Sequence, residues 1–333
     1  MAHNQILQDL KNKVYHPVYF LTGEETYYID LISDYIEKNV LDEAEKDFNQ
    51  SILYGKESDI TTIISEAKRY PMMANHNVVI IKEAQHLNKE IDKLESYLDN
   101  PTPTTILVFC YKYKKIDGRK KFGKTLKKKA VFLETKKLYD NQVPDWITNY
   151  LKKKNYPITP QAALLIAEFL GVDLSKIVNE LEKLIINVPE GNEITPDTVE
   201  TNIGISKDFN NFELNKALGK KDVLKANKII YHFSKNEKDH PLVVTVGLMY
   251  SFFTNILKFH YEKDKSRNNI ASVLRVSPFF VGEYEVAAPN YPIRKAVKII
   301  EYLRDYDLKS KGVNNASTAN SELLKELVFK ILH

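Results

Sequence analysis

The chain has 333 residues, 43% of them hydrophobic, and carries 48 basic and 44 acidic residues for a net charge of +4. Such a length predicts two or three domains, and the composition argues against extensive disorder. A single cysteine, Cys110, excludes an internal disulfide and a cysteine-rich zinc site.

The N-terminal sequence, MAHNQILQDL, has no long apolar run and does not resemble a signal peptide. The longest uncharged stretch, residues 241–257, is too short and too polar for a comfortable membrane span. It therefore predicts a buried core helix, and we expect a cytoplasmic protein without a membrane partner.

The first 140 residues predict an α/β domain. Runs rich in apolar and β-branched residues at 18–21, 78–81 and 105–111 predict buried strands, and residues 131–133 predict a fourth. Apolar residues recur at helical spacing over residues 29–36 and 59–69, and we expect Pro71 to end the second helix or to lie just past it. This alternation predicts a largely parallel sheet covered by helices.

The remainder predicts helices alone. In residues 141–208, Thr159, Asp173 and Thr195 have the positions of helix N-caps, and Gly171 ends a helix. Residues 209–333 predict longer helices, the last from about Ser321. Their apolar stripes include Leu218, Leu224, Ile229 and Phe233.

One nucleotide-binding pattern occurs, because residues 118–125, GRKKFGKT, match G-x-x-x-x-G-K-[ST]. A phosphate-cradling loop follows directly on a strand and leads into a helix whose N-terminal amides face the phosphates. Here residues 112–118 intervene after the strand, and about one helical turn remains before the apolar run at Val131. We interpret the match as fortuitous within a lysine-rich segment.

Such a loop belongs after the first strand, where the sequence reads Thr22-Gly23-Glu24-Glu25. Two carboxylates stand where phosphate requires positive charge, so Gly23, Glu24 and Glu25 predict a degenerate nucleotide loop that does not bind ATP. The sequence contains no H-E-x-x-H pair, G-x-S-x-G elbow or clustered Cys/His ligands. We expect no catalytic residue, metal or cofactor.

Positive charge concentrates in residues 111–138, which hold twelve Lys/Arg and two acidic residues. This segment is near +10, and the rest of the chain is near −6. Lysine runs usually form solvated faces, and no aromatic–basic pattern for base recognition accompanies this one. Contact with nucleic-acid phosphates is the alternative. The candidate residues are Lys114, Lys115, Arg119, Lys120 and Lys121.

Five segments carry a family likeness in a fixed order. They are PVYFLTGEE at 17–25, PMMA at 71–74 with NVVIIKEA at 77–84, DGRKK at 117–121, GVDLSKIVNELEKL at 171–184, and DYDLKSKG at 305–312 with ELLKELV at 322–328. Along nearly its whole length, the chain resembles the delta-subunit family of the bacterial DNA polymerase III clamp loader.

This resemblance implies an α/β plus all-α fold class. Residues 1–140 would form an AAA+ type parallel-sheet domain without a working phosphate loop, the clamp-binding domain. Residues 141–208 would form a small helical lid domain, and residues 209–333 a helical collar domain for oligomerisation. The boundaries agree with the changes of sequence pattern.

The resemblance also implies a role in DNA replication. A delta subunit binds and opens the sliding clamp, the beta subunit, for loading onto primed DNA. It acts beside ATP-hydrolysing motor subunits and a delta-prime subunit, and hydrolyses no ATP itself. In the family, two adjacent hydrophobic residues after a helix wedge into a clamp pocket. Met72 and Met73 match those positions, in place of a bulkier pair.

Three alternatives remain open at this point. Met72 and Met73 could pack in the domain's own core, since adjacent residues in regular structure point to different sides. The chain could be an ATPase that uses residues 118–125. It could also be a stand-alone nucleic-acid-binding protein built on residues 111–138. We expect no intrinsic catalysis, although a delta subunit is part of the DNA polymerase III holoenzyme.

Overall fold

The computed structural model describes residues 2–204, 206–315 and 317–333. The chain forms two compact units, Met1–Leu138 and Tyr139–His333. A parallel sheet with helices builds the first unit and helices build the second, which confirms the predicted α/β plus all-α fold class. The division of the second unit into lid and collar domains at residue 208 stays a prediction.

Strands and helices alternate in the first unit. Its strands are β1 (Val18–Gly23), β2 (Gln50–Tyr54), β3 (Asn77–Lys82), β4 (Thr105–Lys112) and β5 (Val131–Thr135). Its α-helices are α1 (Ala2–Lys11), α2 (Thr26–Asn39), α3 (Glu43–Asn49), α4 (Ile60–Ala67), α5 (Glu95–Asp99) and α6 (Lys121–Lys129), and short 3-10 helices form at Ala84–Leu87 and Ile91–Leu94.

The strands form one parallel sheet in the order β2-β3-β4-β1-β5. Helices cover both of its faces, so β1, β3 and β4 are almost completely buried. On one face, Phe20 of β1 stacks against Phe109 and Phe132 of the neighbouring strands. Parallel pairing brings the carboxyl ends of all strands to one edge, the usual location of ligand sites in open α/β sheets.

Strand β2 is not predicted by the sequence pattern. It lies at the edge of the sheet, where it pairs with β3, and its residues Ile52 and Tyr54 are exposed. An edge strand buries less surface than a central one, so β2 lacks the continuous apolar run that reveals β1, β3 and β4.

The second unit is built from helices. They are α7 (Val143–Lys152), α8 (Pro160–Leu170), α9 (Leu174–Ile186), α10 (Pro196–Ile203), α11 (Asn211–Gly219), α12 (Val223–Lys235), α13 (Leu242–Tyr261), α14 (Arg267–Leu274), α15 (Val281–Asn290), α16 (Ile293–Ser310) and α17 (Asn320–Leu332), with 3-10 helices at Asp140–Gln142 and Pro278–Phe280. The predicted N-caps Thr159, Asp173 and Thr195 each accept a backbone N–H, and Gly171 ends α8.

The predicted apolar stripe of residues 218–233 needs one correction. Leu218, Ile229 and Phe233 are buried, but Leu224 is 68% exposed. Helix α12 buries the face that contains Ala226, and Leu224 lies two residues earlier, roughly 200° around the helix. Leu224 therefore points away from the core.

Helix α13 is long and apolar enough to cross a membrane by length and composition. Seven of its residues are buried, and most of these join the hydrophobic core formed with α11, α12 and α15–α17. The predicted core helix is thus present, with one face in the core and the other exposed.

Candidate functional site

The two methionines lie on an exposed turn after helix α4. This segment, residues 70–73, is called the tip. Tyr70 is 82% exposed, Met72 55% and Met73 99%. Neither methionine is packed in the core of the first unit, so the alternative of core methionines does not describe this structure. A cluster of exposed large apolar side chains is typical of a protein-binding surface.

The side chain of Asn49, the last residue of α3, forms hydrogen bonds to the backbone of the tip. Asn49 is 2% exposed, and its Oδ1 accepts the N–H of Met72 at 2.6 Å. Its Nδ2 donates to the carbonyl oxygen of Met72 at 3.0 Å. The preceding residue, Phe48, is 63% exposed.

Met73 has a left-handed backbone conformation, with φ = 55°. This conformation costs a residue other than glycine roughly 1–2 kcal/mol. The side chain of Met73 is almost wholly in solvent, so no packing of that side chain offsets the strain. Such strain persists where the surrounding structure imposes it, and it is frequent at functional sites.

The predicted degenerate loop is too short to cradle a phosphate. Strand β1 ends at Gly23 and α2 begins at Thr26, so only Glu24 and Glu25 connect them. Glu25 is the N-cap of α2, and its carboxylate accepts the N–H of Tyr27 at 3.1 Å. A carboxylate therefore already occupies the helix end at which a phosphate would bind.

Ion pairs within the chain fill the neighbouring carboxyl edge of the sheet. Lys112, at the end of β4, lies 2.6 Å from a carboxylate oxygen of Asp30 on α2. Lys82, at the end of β3, pairs in the same way with two further carboxylates of α2, those of Asp34 and Glu37. Both lysines are thus paired with carboxylates of α2.

The five basic candidates are exposed, and three of them are paired with carboxylates. Lys115 pairs with Glu24, Lys121 with Glu95 and Arg119 with Asp117, at 3.0–3.3 Å. The hydrogen bond from Arg119 lowers the pKa of Asp117 to about 2. Within the described ranges, Lys114 and Lys120 form no ion pair with a carboxylate, so among the five candidates these two are the cations available to a partner.

Residues 118–125 do not form a phosphate-binding loop in this structure. The segment from Asp117 to Lys120 is a short turn, and the second glycine of the pattern, Gly123, lies inside α6. The Thr125 hydroxyl, which would meet a metal ion in such a loop, bonds to Glu95 and to the carbonyl oxygen of Lys121. Helix α6 spans nine residues, longer than the single turn expected.

The remaining chemistry is sparse. Across residues 2–204, 206–315 and 317–333, no group of three or more His, Cys, Asp or Glu side chains could hold a metal ion. Burial raises the pKa of the Cys110 thiol to about 11, which keeps it protonated and unreactive at neutral pH. The tip is the feature with the clearest functional geometry.

Sequence reasoning located Met72 and Met73 but missed Asn49, Phe48 and Tyr70. Asn49 precedes Met72 by 23 positions, and no sequence pattern indicates their contact. Phe48 and Tyr70 are single aromatic residues whose exposure depends on where α3 and α4 end.

Comparisons with known proteins agree with this architecture. The family model for the delta subunit of DNA polymerase III matches residues 19–136. The DNA polymerase III subunit delta of Bacillus subtilis (strain 168) is 32% identical over 319 residues, covering 92% of this chain and 91% of that protein. A solved structure, the Bacillus subtilis DNA clamp loader delta protein (YqeN), is 28% identical with a TM-score of 0.56 and covers 99% of both chains. The chain belongs to the family of DNA polymerase III delta subunits.

Proposed function

We propose that this chain is the clamp-binding subunit of a DNA polymerase III clamp loader. It grips the ring-shaped sliding clamp through the tip and opens it for loading onto primed DNA. It does so without hydrolysing ATP. The observation that carries the proposal is the exposed Met72–Met73 pair in a member of the delta-subunit family.

The size of the tip is sufficient for a strong contact. Burying Met73 in a partner pocket contributes about 1.5–3 kcal/mol, and burying the exposed half of Met72 adds roughly half as much. This is the range of an interface hot spot. Methionine is unbranched and flexible, so the pair adapts to a pocket that bulkier side chains would fill more rigidly.

In this proposal, no nucleotide binds at the carboxyl edge of this chain's sheet. The carboxylate of Glu25 caps α2, and Lys112 and Lys82 are paired with carboxylates of the same helix. Hydrolysis is instead assigned to motor subunits of the same complex. The ATPase alternative needs residues 118–125 as a phosphate loop. The position of Gly123 inside α6 does not support it.

The second unit provides a surface for those subunits and for delta-prime. From Leu242 to Leu257, α13 carries no charged residue, yet Val243, Val244 and Tyr250 on its outer face are exposed. An uncharged and partly apolar outer face suits a subunit interface better than open solvent. The chain would thus act in the cytoplasm as part of a hetero-oligomer.

Contact with primed DNA is assigned to the assembled complex. Lys114 and Lys120 are exposed cations without a carboxylate partner in the described ranges, and they suit phosphate oxygens. Lys115, Arg119 and Lys121 can contribute only by leaving their present carboxylates. This contact is therefore secondary to clamp binding.

Surface plasmon resonance against the cognate clamp, without nucleotide, tests the proposal. The wild-type chain is expected to bind, and Met72→Ala/Met73→Ala is expected to bind at least about tenfold more weakly, because each alanine removes apolar surface from the contact. Ile186→Ala, which truncates an 81% exposed side chain in the other unit, is the matched control.

Either of two results would count against it. Absence of wild-type binding contradicts the clamp-binding role. Undiminished binding by a double variant that circular dichroism shows to be folded removes the contact from the tip.

A further inference from the structure

The turn between α4 and β3 depends on one side chain for its hydrogen bonding. In the described part of the chain, residues 70–76 make no backbone-to-backbone hydrogen bond. The two bonds between Asn49 and the backbone of Met72 lie at the middle of this turn. They imitate the paired N–H and C=O bonds that a neighbouring strand would provide.

The orientation of the Asn49 amide follows from its surroundings. Nδ2 faces two carbonyl oxygens, those of Met72 and Glu45, each at 3.0 Å, whereas Oδ1 faces the N–H of Met72. A primary amide, with two donors on its nitrogen and an acceptor on its oxygen, meets all three demands at once. The bond to Glu45 also ties the side chain to the last turn of α3, so the tip is fixed to a helix rather than to another loop.

We infer that Asn49 is a positioning residue that pre-forms the tip for binding to the sliding clamp. This inference rests on the proposed function. Asn49 is buried and does not reach a partner itself. It holds Met72 in place and maintains the left-handed backbone at Met73, so that both methionines are presented to solvent before the clamp arrives.

A tip that is already ordered in the free chain raises affinity for the clamp, because more of the molecules are then in the conformation that binds. A free turn of seven residues samples many conformations, and apparent affinity falls in proportion to the fraction that can bind. Ordering the turn in advance removes that loss without adding any contact to the interface. The effect of removing Asn49 should therefore appear in clamp binding, although the docking surface itself is unchanged.

Two variants of the full-length chain test the inference by surface plasmon resonance against the clamp. Asn49→Ala removes all three hydrogen bonds and is expected to weaken binding about tenfold. Asn49→Asp has nearly the same shape, keeps the acceptor for the Met72 N–H and sets a carboxylate against two carbonyl oxygens. It is also expected to weaken binding, and since it leaves no cavity, it carries the test if Asn49→Ala fails to fold.

Asn77→Ala is the matched control. Asn77 is also buried, and its side chain donates to a backbone carbonyl oxygen, that of Glu66 in α4 at 3.2 Å, rather than to the tip. This variant should lose thermal stability as Asn49→Ala does, yet bind the clamp within about twofold of the wild type.

A double-mutant cycle separates positioning from a general structural role. In a Met73→Ala background the tip offers less apolar surface to the clamp, so the tenfold effect of Asn49→Ala on affinity should shrink to about threefold or less. Faster hydrogen exchange at the Met72 amide in Asn49→Ala reports the loss of the anchor directly.

Three outcomes would overturn the inference. If the Asn49 variants bind like a wild type that itself binds, Asn49 does not position the tip, and the proposed function stands. If the effect of Asn49→Ala is equally large in both backgrounds, it acts through the fold in general. If the wild type does not bind the clamp, the inference and the proposed function both fail.

Discussion

At the scale of single residues, burial controls the protonation of Glu168 on α8. Its carboxylate accepts the N–H of Asn211, at the start of α11, at 2.8 Å. Burial raises the pKa of Glu168 to about 7, even though the bonds from Asn211 and Phe212 favour the charged form. The raised pKa means that the folded protein holds a proton that the unfolded chain releases at lower pH.

The pH dependence of stability follows from this shift. Stability from the neutral carboxyl is complete below the ordinary pKa of 4.5 and is lost as the pH rises through about 7. Glu168→Gln keeps an uncharged acceptor for Asn211 at every pH. We expect the variant to gain about 2–3 kcal/mol over the wild type between pH 5 and pH 8.5.

Urea unfolding of both proteins at the two pH values measures this difference. The exposed Glu285→Gln change provides the control. An equal difference at both pH values would show that Glu168 is charged throughout.

Residues of this kind mark the limit of sequence reasoning. The caps Thr159, Asp173 and Thr195 were predictable because a cap acts on amides two or three positions away. Asn49 and Glu168 act on backbone 23 and 43 positions away, which only the folded chain brings within reach. The methionines themselves were predicted from a family resemblance, and their exposure required the structure.

At the scale of elements, the connection from β1 to α2 takes the place of a nucleotide loop. Gly23 has φ = 129°, and a Cβ atom there would lie 2.1 Å from the carbonyl oxygen of Thr135 on β5. Glu24 donates its N–H to the same oxygen at 3.2 Å. The close approach of the two strand ends therefore requires glycine at this position.

Replacing this glycine should disturb the sheet edge. We expect Gly23→Ala to destabilise the first unit by more than about 2 kcal/mol, because the added methyl group meets backbone and the φ value is strained for alanine. The midpoint of thermal unfolding checks this. Gly171→Ala, also at positive φ but with nothing within 4 Å of the added atom, tests strain without the clash and should cost less. Equal losses for both variants would contradict the steric account.

Elements were predictable in proportion to their burial. The central strands β1, β3 and β4 have continuous apolar runs, whereas the edge strand β2 has exposed residues and gave no comparable signal. Helix α12 was predicted, but Leu224 was placed on the wrong face because spacing alone does not show which side meets the core. Residues 118–125 are a false positive of a pattern search. They match the phosphate-loop motif, yet they lie across a turn and a helix and do not form such a loop.

At the scale of the whole molecule, each unit has its own core and its own exposed surface. The first unit presents the tip, and the second presents the uncharged outer face of α13. This division suits a subunit that binds the clamp with one unit and its neighbours in the loader with the other. In the proposed mechanism, the free energy that opens the clamp comes from the binding of this chain and not from ATP hydrolysis by it.

Opening of the clamp by this chain alone, without nucleotide, is the most direct test. A fluorescence donor and acceptor placed across one interface of the ring would report separation of the two faces. The account predicts that the wild-type chain lowers energy transfer in the absence of ATP and that Met72→Ala/Met73→Ala does not. A ring that stays closed with the wild-type chain bound, or that opens only when ATP is added, would contradict it.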